Sequence, residues 1–142
     1  MKQIVLLICL IAGCIPAIAS DIELTISNIR CKKGKILIGV YKDNPSFQED
    51  KPFAAYAYSK ESVRDGTLVI RIEMKPGTYG IAILDDENNN GEMDYRFLGI
   101  PREGFGFSVI TGRIFKRPDF RDFCFCFTEE KERMNIRLRY TL

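Results

Sequence analysis

A chain of 142 residues that is 46% apolar, 28% charged and 11% aromatic has enough apolar material for one core and too much for a disordered polymer. Its 21 basic and 19 acidic residues leave a formal charge of +2, without the basic stripe that would hold nucleic acid. There is no histidine, which removes Ser-His-Asp and Cys-His catalysis, histidine general bases and His-bound zinc.

The N-terminus reads as a targeting segment. Lys2 supplies a short positive start, and Ile4 to Ile15 is an apolar run of signal length, too short to span a membrane as a helix. Pro16 breaks it, and Ala17-Ile18-Ala19 places small residues at −3 and −1 of a cleavage after Ala19. The domain is then residues 20–142, periplasmic or secreted. A competing pattern is Ile11-Ala12-Gly13-Cys14, a lipobox that would anchor the chain to membrane through Cys14; the Pro16 and Ala-x-Ala arrangement accounts for more residues. After cleavage Cys31, Cys124 and Cys126 remain. Cys124 and Cys126 share a face if extended and are poorly placed to bridge each other. One of them bonded to Cys31, or three small buried apolar residues, are the two leading readings; metal ligation by the three thiolates is a third, disfavoured because no CxxC spacing exists.

Ile22, Leu24 and Ile26 alternate with polar neighbours and predict a half-buried strand. Residues 30–34 are a polar turn, and Lys35 to Tyr41 a second strand, so that the two suggest a hairpin. Lys42 to Pro52 is a polar loop, Phe53 to Ser59 a weaker strand, and Lys60 to Gly66 a turn or single helical turn. Leu68, Ile70 and Ile72 alternate again. Lys75-Pro76-Gly77 is a tight turn into a strand from Tyr79 to Leu84. Asp85 to about Pro118 reads as irregular, followed by strands over Phe123 to Phe127 and Met134 to Tyr140. No amphipathic helical stripe of ten residues occurs. The pattern predicts an all-β fold, a single Ig-like or transthyretin-like β-sandwich of about seven strands with a long irregular loop. In such sandwiches a strand, Pro-Gly-Thr-Tyr and another strand place the tyrosine at a corner with its hydroxyl on nearby backbone, the position of Tyr79.

The segment from Asp86 to Asp94 is the most informative. Asp86, Asn88, Asn90 and Asp94 put oxygen side chains at positions 1, 3, 5 and 9 of a loop with Gly91 at position 6, and Glu92 would offer its backbone carbonyl. Calcium takes six to eight hard oxygens, which alternate residues of a tight loop can aim at one centre. Position 12 is Phe97, which cannot chelate, and the flanks are not helical, so this is no EF-hand. Glu103 or Asp85 are candidates to replace that ligand. Two asparagines lower the charge and predict weak calcium affinity, about 10⁻⁴–10⁻³ M. The competing reading is a solvated Asn-Gly turn that binds nothing.

The same segment, followed by Leu98-Gly99-Ile100-Pro101-Arg102-Glu103-Gly104-Phe105-Gly106-Phe107-Ser108, and accompanied by Pro76 to Tyr79 and by Pro118-Asp119-Phe120, resembles a family of exported bacterial proteins, domain of unknown function 2141. The resemblance covers about residues 21–142 and implies a prealbumin-like sandwich. It implies no activity. Asn89 departs from the glycine that the family tends to carry there.

Between 95 and 108, Tyr95, Arg96, Phe97, Arg102, Phe105 and Phe107 lie among three glycines. They are either a recognition surface or, for Phe105 and Phe107, core packing. The expectation for function is a non-catalytic envelope module, binding or accessory, with calcium stiffening the acidic loop and an envelope protein or glycan as partner. The alternative is a carboxylate-dependent hydrolase of envelope glycan using Asp85, Asp86, Asp94 or Glu103.

Overall fold

The computed structural model describes residues 20–128 and 132–141. The readings of the N-terminal segment, Cys14 included, lie outside the described residues. Eight strands are present among them: β1 (Ser20–Ser27), β2 (Lys35–Tyr41), β3 (Ala54–Ser59), β4 (Leu68–Met74), β5 (Gly77–Asp86), β6 (Gly104–Phe107), β7 (Cys124–Phe127) and β8 (Glu132–Arg137). Two short helices, α1 (Asn44–Gln48) and α2 (Phe120–Phe123), and one 3₁₀ turn at Phe97–Gly99 complete the set.

The strands form two sheets. One is β4-β1-β8, with β1 antiparallel to β4 and parallel to β8. The other runs β3-β2-β5, and β5 is long enough to take two partners on its far edge: β7 along Gly77 to Gly80 and β6 along Ala82 to Asp85. The sheets stack through their alternating apolar faces. Ile22, Leu24 and Ile26 of β1 share one buried cluster with Ile36, Ile38 and Val40 of β2 and with Ile81 and Ile83 of β5. The all-β sandwich expected from alternation is the fold observed.

The expected hairpin between the first two strands is not formed. Both edges of β1 are taken by β4 and β8, and both edges of β2 by β3 and β5. The turn before Lys35 therefore carries the chain from one sheet to the other. Period-two alternation says that each strand buries one face; it does not say whether the two pair edge to edge or stack face to face. Two further corrections follow from short elements. The polar stretch 42–52 contains α1, started by the Asp43 carboxylate accepting from the Ser46 N–H at 2.8 Å, with Pro45 in the first turn. The stretch taken as irregular after Asp85 contains β6, and Phe123 belongs to α2 rather than to the strand that follows. Five- and four-residue helices leave no periodic signature to read.

A second buried cluster is aromatic. Phe47 of α1 meets Tyr41, Phe107 and Phe123 edge-on, with ring centroids 5.2, 5.9 and 4.7 Å away. Phe107 thus packs inward, as one of its two readings held. Ser108 links this cluster to the sheet: its buried hydroxyl accepts from the Ile81 N–H at 2.9 Å and donates to the Phe123 carbonyl at 2.5 Å. Cys124 and Cys126 lie on the outward side of β7, because Phe125 and Phe127 occupy its core side. Neither they nor Cys31 is deeply buried and all three are free thiols, so both leading readings of them are corrected.

Candidate functional site

The last residues of β5 carry two adjacent aspartates into a polar assembly. In register, Asp85 lies opposite Ile36, which lies opposite Tyr58, so Asp85 points to the inner face of the sandwich. Burial alternates along β3 as well, and the next inward position after Tyr58 is Lys60. The Lys60 and Asp85 side chains have zero exposure and form an ion pair through Nζ and Oδ1. The other Asp85 oxygen accepts from the Tyr140 hydroxyl at 2.6 Å. Burial raises the Asp85 carboxyl above the ordinary aspartate value, against the pull of Lys60 and Tyr140. Burial, reinforced by the bond to Asp85, likewise raises the Tyr140 phenol.

Around this buried core lies a half-exposed shell. Arg30 grips Glu87 through two nitrogens, at 2.6 and 2.7 Å, and stacks its guanidinium on the Tyr140 ring 4.4 Å from the centroid. The bond from Arg30 holds the Glu87 carboxyl below the usual range. The Cys31 thiol donates to Glu87 at 3.4 Å.

Asp86 starts the acidic loop and is itself buried. Its carboxylate accepts from the backbone N–H groups of Asn90 at 3.1 Å and Gly91 at 2.9 Å. Gly91 takes the left-handed conformation, φ +80°, that turns the chain back. The side-chain oxygens of Asn88 and Asn90 each accept from the N–H two residues on, at 3.1 and 3.0 Å, and both amide groups reach Asp94, Asn88 at 2.5 Å and Asn90 at 3.1 Å. The structure therefore brings Asp86, Asn88, Asn90 and Asp94 together in one bonded ring, while the Glu92 side chain is exposed. Among the described residues no group of three or more His, Cys, Asp and Glu side chains is gathered as metal ligands. Each ring oxygen keeps a second lone pair beyond its present bond except Asp94 Oδ2, which accepts from both asparagine amides. Those spare lone pairs on Asp86, Asn88, Asn90 and Asp94 are what a hard cation would use; the asparagine N–H groups on Asp94 are what it would displace.

Glu103 takes a different part from the twelfth-position ligand considered for it. It is buried, and its two oxygens accept from the N–H groups of Glu87 at 3.0 Å and Asp94 at 3.3 Å. It clasps the beginning and end of the acidic loop. Burial, with Asp94 and Asp86 close by, raises its carboxyl despite those two bonds.

Beyond the clasp the chain makes a small closed excursion. Arg102 N–H donates to the Asp94 carbonyl at 2.8 Å, and Arg96 N–H to the Ile100 carbonyl at 2.7 Å. Phe97 and Leu98 stand at the tip, 87% and 82% exposed, with Tyr95 and Ile100 also open to solvent. Leu98 sits at φ +67°, a conformation that costs a branched residue free energy. Sequence reading had grouped Tyr95 and Phe97 with Phe105 and Phe107; the fold separates them, and adds Leu98 and Ile100 to the exposed set.

Residues 24–135 match the sequence profile of the family described as an uncharacterized protein conserved in bacteria, domain of unknown function 2141. The chain belongs to this family. No curated protein and no solved structure matches it. Much of the motif that carried the family resemblance builds architecture here. Glu103 clasps the loop, Ser108 ties two clusters, and a Cβ on Gly104 would lie 2.4 Å from the Tyr140 ring. Lys60, Tyr140 and Arg30 were missed. The period-two row Ala54, Tyr56, Tyr58, Lys60 was the available signal that Lys60 turns inward.

A separate groove of about 420 Å³ opens at the other end of β5, lined by Lys42, Phe53, Tyr56, Met74 and Tyr79 among others. It contains none of the residues singled out for chemistry.

Proposed function

We propose that this family member is a non-catalytic binding or accessory module of the bacterial envelope, in which calcium held by Asp86, Asn88, Asn90 and Asp94 stiffens the loop that presents residues 95–100 to a partner. The observation that carries this reading is the tip itself. Two large apolar side chains stand almost fully in water on a turn whose base is fastened by Glu103. Exposed apolar side chains gathered on one ordered loop mark contact surfaces, and Arg96 and Arg102 beside them suit an anionic or polar partner. A cation shared between the carboxylates of Asp86 and Asp94 would couple occupancy to the shape of the tip's base. The reading of Glu103 as a hydrolytic carboxyl gains no geometric support, since both its oxygens are engaged by backbone N–H groups and it lies outside the groove lined by Phe53 and Tyr79.

Thermal unfolding in chelator and in rising calcium, with magnesium as control, tests the calcium site. A ligand selective for the folded state stabilises it by about 2.7 kcal/mol at a hundred times its dissociation constant, roughly several degrees for a domain of this size. The expected result is a calcium-specific rise that Asp86→Asn removes. No rise up to about ten millimolar, well above the range of weak extracellular sites, or an unchanged rise in Asp86→Asn, would refute it.

A further inference from the structure

The Lys60–Asp85 pair is the least ordinary feature of the molecule. An ammonium has three donors to satisfy, and among the described residues Lys60 Nζ has no hydrogen-bond partner beyond its contact with Asp85 Oδ1. Two full charges at zero exposure carry a desolvation cost that one contact offsets poorly. Moving a single proton from Nζ to Oδ1 removes both charges and leaves a neutral amine against a neutral carboxylic acid. A neutral primary amine held against a carboxyl group, in a dry and rigid setting, is a nucleophile beside its electrophile at very high effective concentration.

We infer that Lys60 and Asp85 condense within the folded chain to an amide, covalently joining the end of β3 to the end of β5 across β2. The atoms balance without any co-reactant. The Nζ lone pair attacks Asp85 Cγ, forming the C–N bond. Charge gathers on Oδ2, where the Tyr140 hydroxyl already donates at 2.6 Å and serves as a one-donor oxyanion hole. Collapse breaks the bond from Cγ to the protonated Oδ1, which takes a second proton from nitrogen and leaves as water. The amide keeps one N–H and one carbonyl oxygen, and the carbonyl retains the Tyr140 bond. Tyr140 is itself positioned by the Arg30 N–H at 3.2 Å and the Arg30 guanidinium on its ring. The product replaces three ammonium donors by one amide donor, which a closed apolar interior accommodates better. It also closes a covalent ring through residues 60–85, restricting the unfolded chain as a disulfide would, in a protein whose three described cysteines are free.

The experiment is mass spectrometry of the chain expressed in full, purified folded and thiol-reduced. The expected mass is one water below that of the sequence, after allowing for the N-terminus found in the digest. Trypsin is expected to yield a branched peptide joining residues 43–64 and 72–96, uncut at Lys60. Lys60→Arg keeps the charge and cannot condense, so its whole-chain mass is expected to return to the full value. Wild-type chain at full mass with linear peptides overturns the proposal, and this holds even where the variant fails to fold. A missing water that persists in Lys60→Arg, or that maps to an unbranched peptide, overturns it as well.

Discussion

The two ends of β5 solve the same problem, closing one end of a sandwich, with opposite chemistry. At its start, Tyr79 is buried against the core and its hydroxyl donates to the Lys75 carbonyl at 2.9 Å, the corner bond expected from Pro-Gly-Thr-Tyr. Lys42 lies over the Phe53 ring, 3.6 Å from its centroid. Ring packing surrounds this end, and Lys42 and Lys75 are exposed residues. At its finish, Asp85, Asp86, Glu103 and Lys60 are all buried and every one is held by another polar group. A buried polar group left without its partner costs more than the bond it made was worth. The first end should therefore tolerate the loss of a part, and the second should not. The second is also the end where a bound cation or a new covalent bond has something to act upon.

The sharpest way to break that contrast is at Gly34, in the turn before β2. Its φ is +76°, and a Cβ there would lie 1.8 Å from the backbone carbonyl oxygen of Asp86. Backbone cannot swing aside as a side chain can, and a left-handed alanine is strained in addition. Gly34→Ala is expected to destabilise by about 3 kcal/mol or more, read as a lower urea midpoint, and to weaken any calcium response because Asp86 must move. A cost below about 1 kcal/mol would show that this end yields easily, and the contrast between the two ends would fall.

Glu103→Gln is the next largest. Glutamine keeps one acceptor oxygen but turns an NH₂ toward the other N–H, so one clasp of the acidic loop is lost, a cost of about 1–3 kcal/mol. The pH dependence carries a definite sign. The folded state raises the Glu103 carboxyl, so the folded state binds its proton more tightly than the unfolded chain does. That contribution to stability is fully present below the unfolded value and is lost as pH rises through the folded one. The gap between wild type and Glu103→Gln should be wider at about pH 5 than at neutral pH, measured by urea unfolding at both. A gap that widens toward neutral pH would mean that the two N–H bonds, rather than burial, govern this carboxyl.

What the sequence disclosed differs at the two ends for a physical reason. Alternation in Ile22 to Ile26, Leu68 to Ile72 and Tyr79 to Leu84 is a local signal, and the strands formed where it lay. The Tyr79 corner is local too, a bond between residues four apart. So is the ring of Asp86, Asn88, Asn90 and Asp94, whose members were named from spacing alone. The Lys60–Asp85–Tyr140 assembly draws on three strands' ends, with 55 residues between Asp85 and Tyr140. Spacing carries no information about such partners, because which distant strands pair, and in what register, is set by the fold as a whole. The same limit explains the hairpin that did not form. The tip at 97–98 escaped for another reason: apolar residues are read as core by default, and exposure of Phe97 and Leu98 follows from the clasp by Glu103 beneath them.

The smallest expected effect lies at the start of β5, and it sharpens the comparison by its smallness. Tyr79→Phe removes one hydroxyl and leaves the ring in place. Lys75, whose carbonyl loses the donor, is exposed, so water can replace the bond and no buried acceptor is stranded. Phenylalanine keeps the packing against the core and the ring face beneath Lys42, 5.7 Å from its centroid. The expected cost is about 1 kcal/mol or less, with the slope of urea unfolding unchanged because the surface exposed on unfolding is the same. The calcium shift should also be unchanged, since the acidic loop lies at the opposite end of the strand. A loss approaching that of Glu103→Gln would mean that the hydroxyl orders the whole Lys75 to Tyr79 corner, and that both ends of β5 depend on polar groups to the same degree.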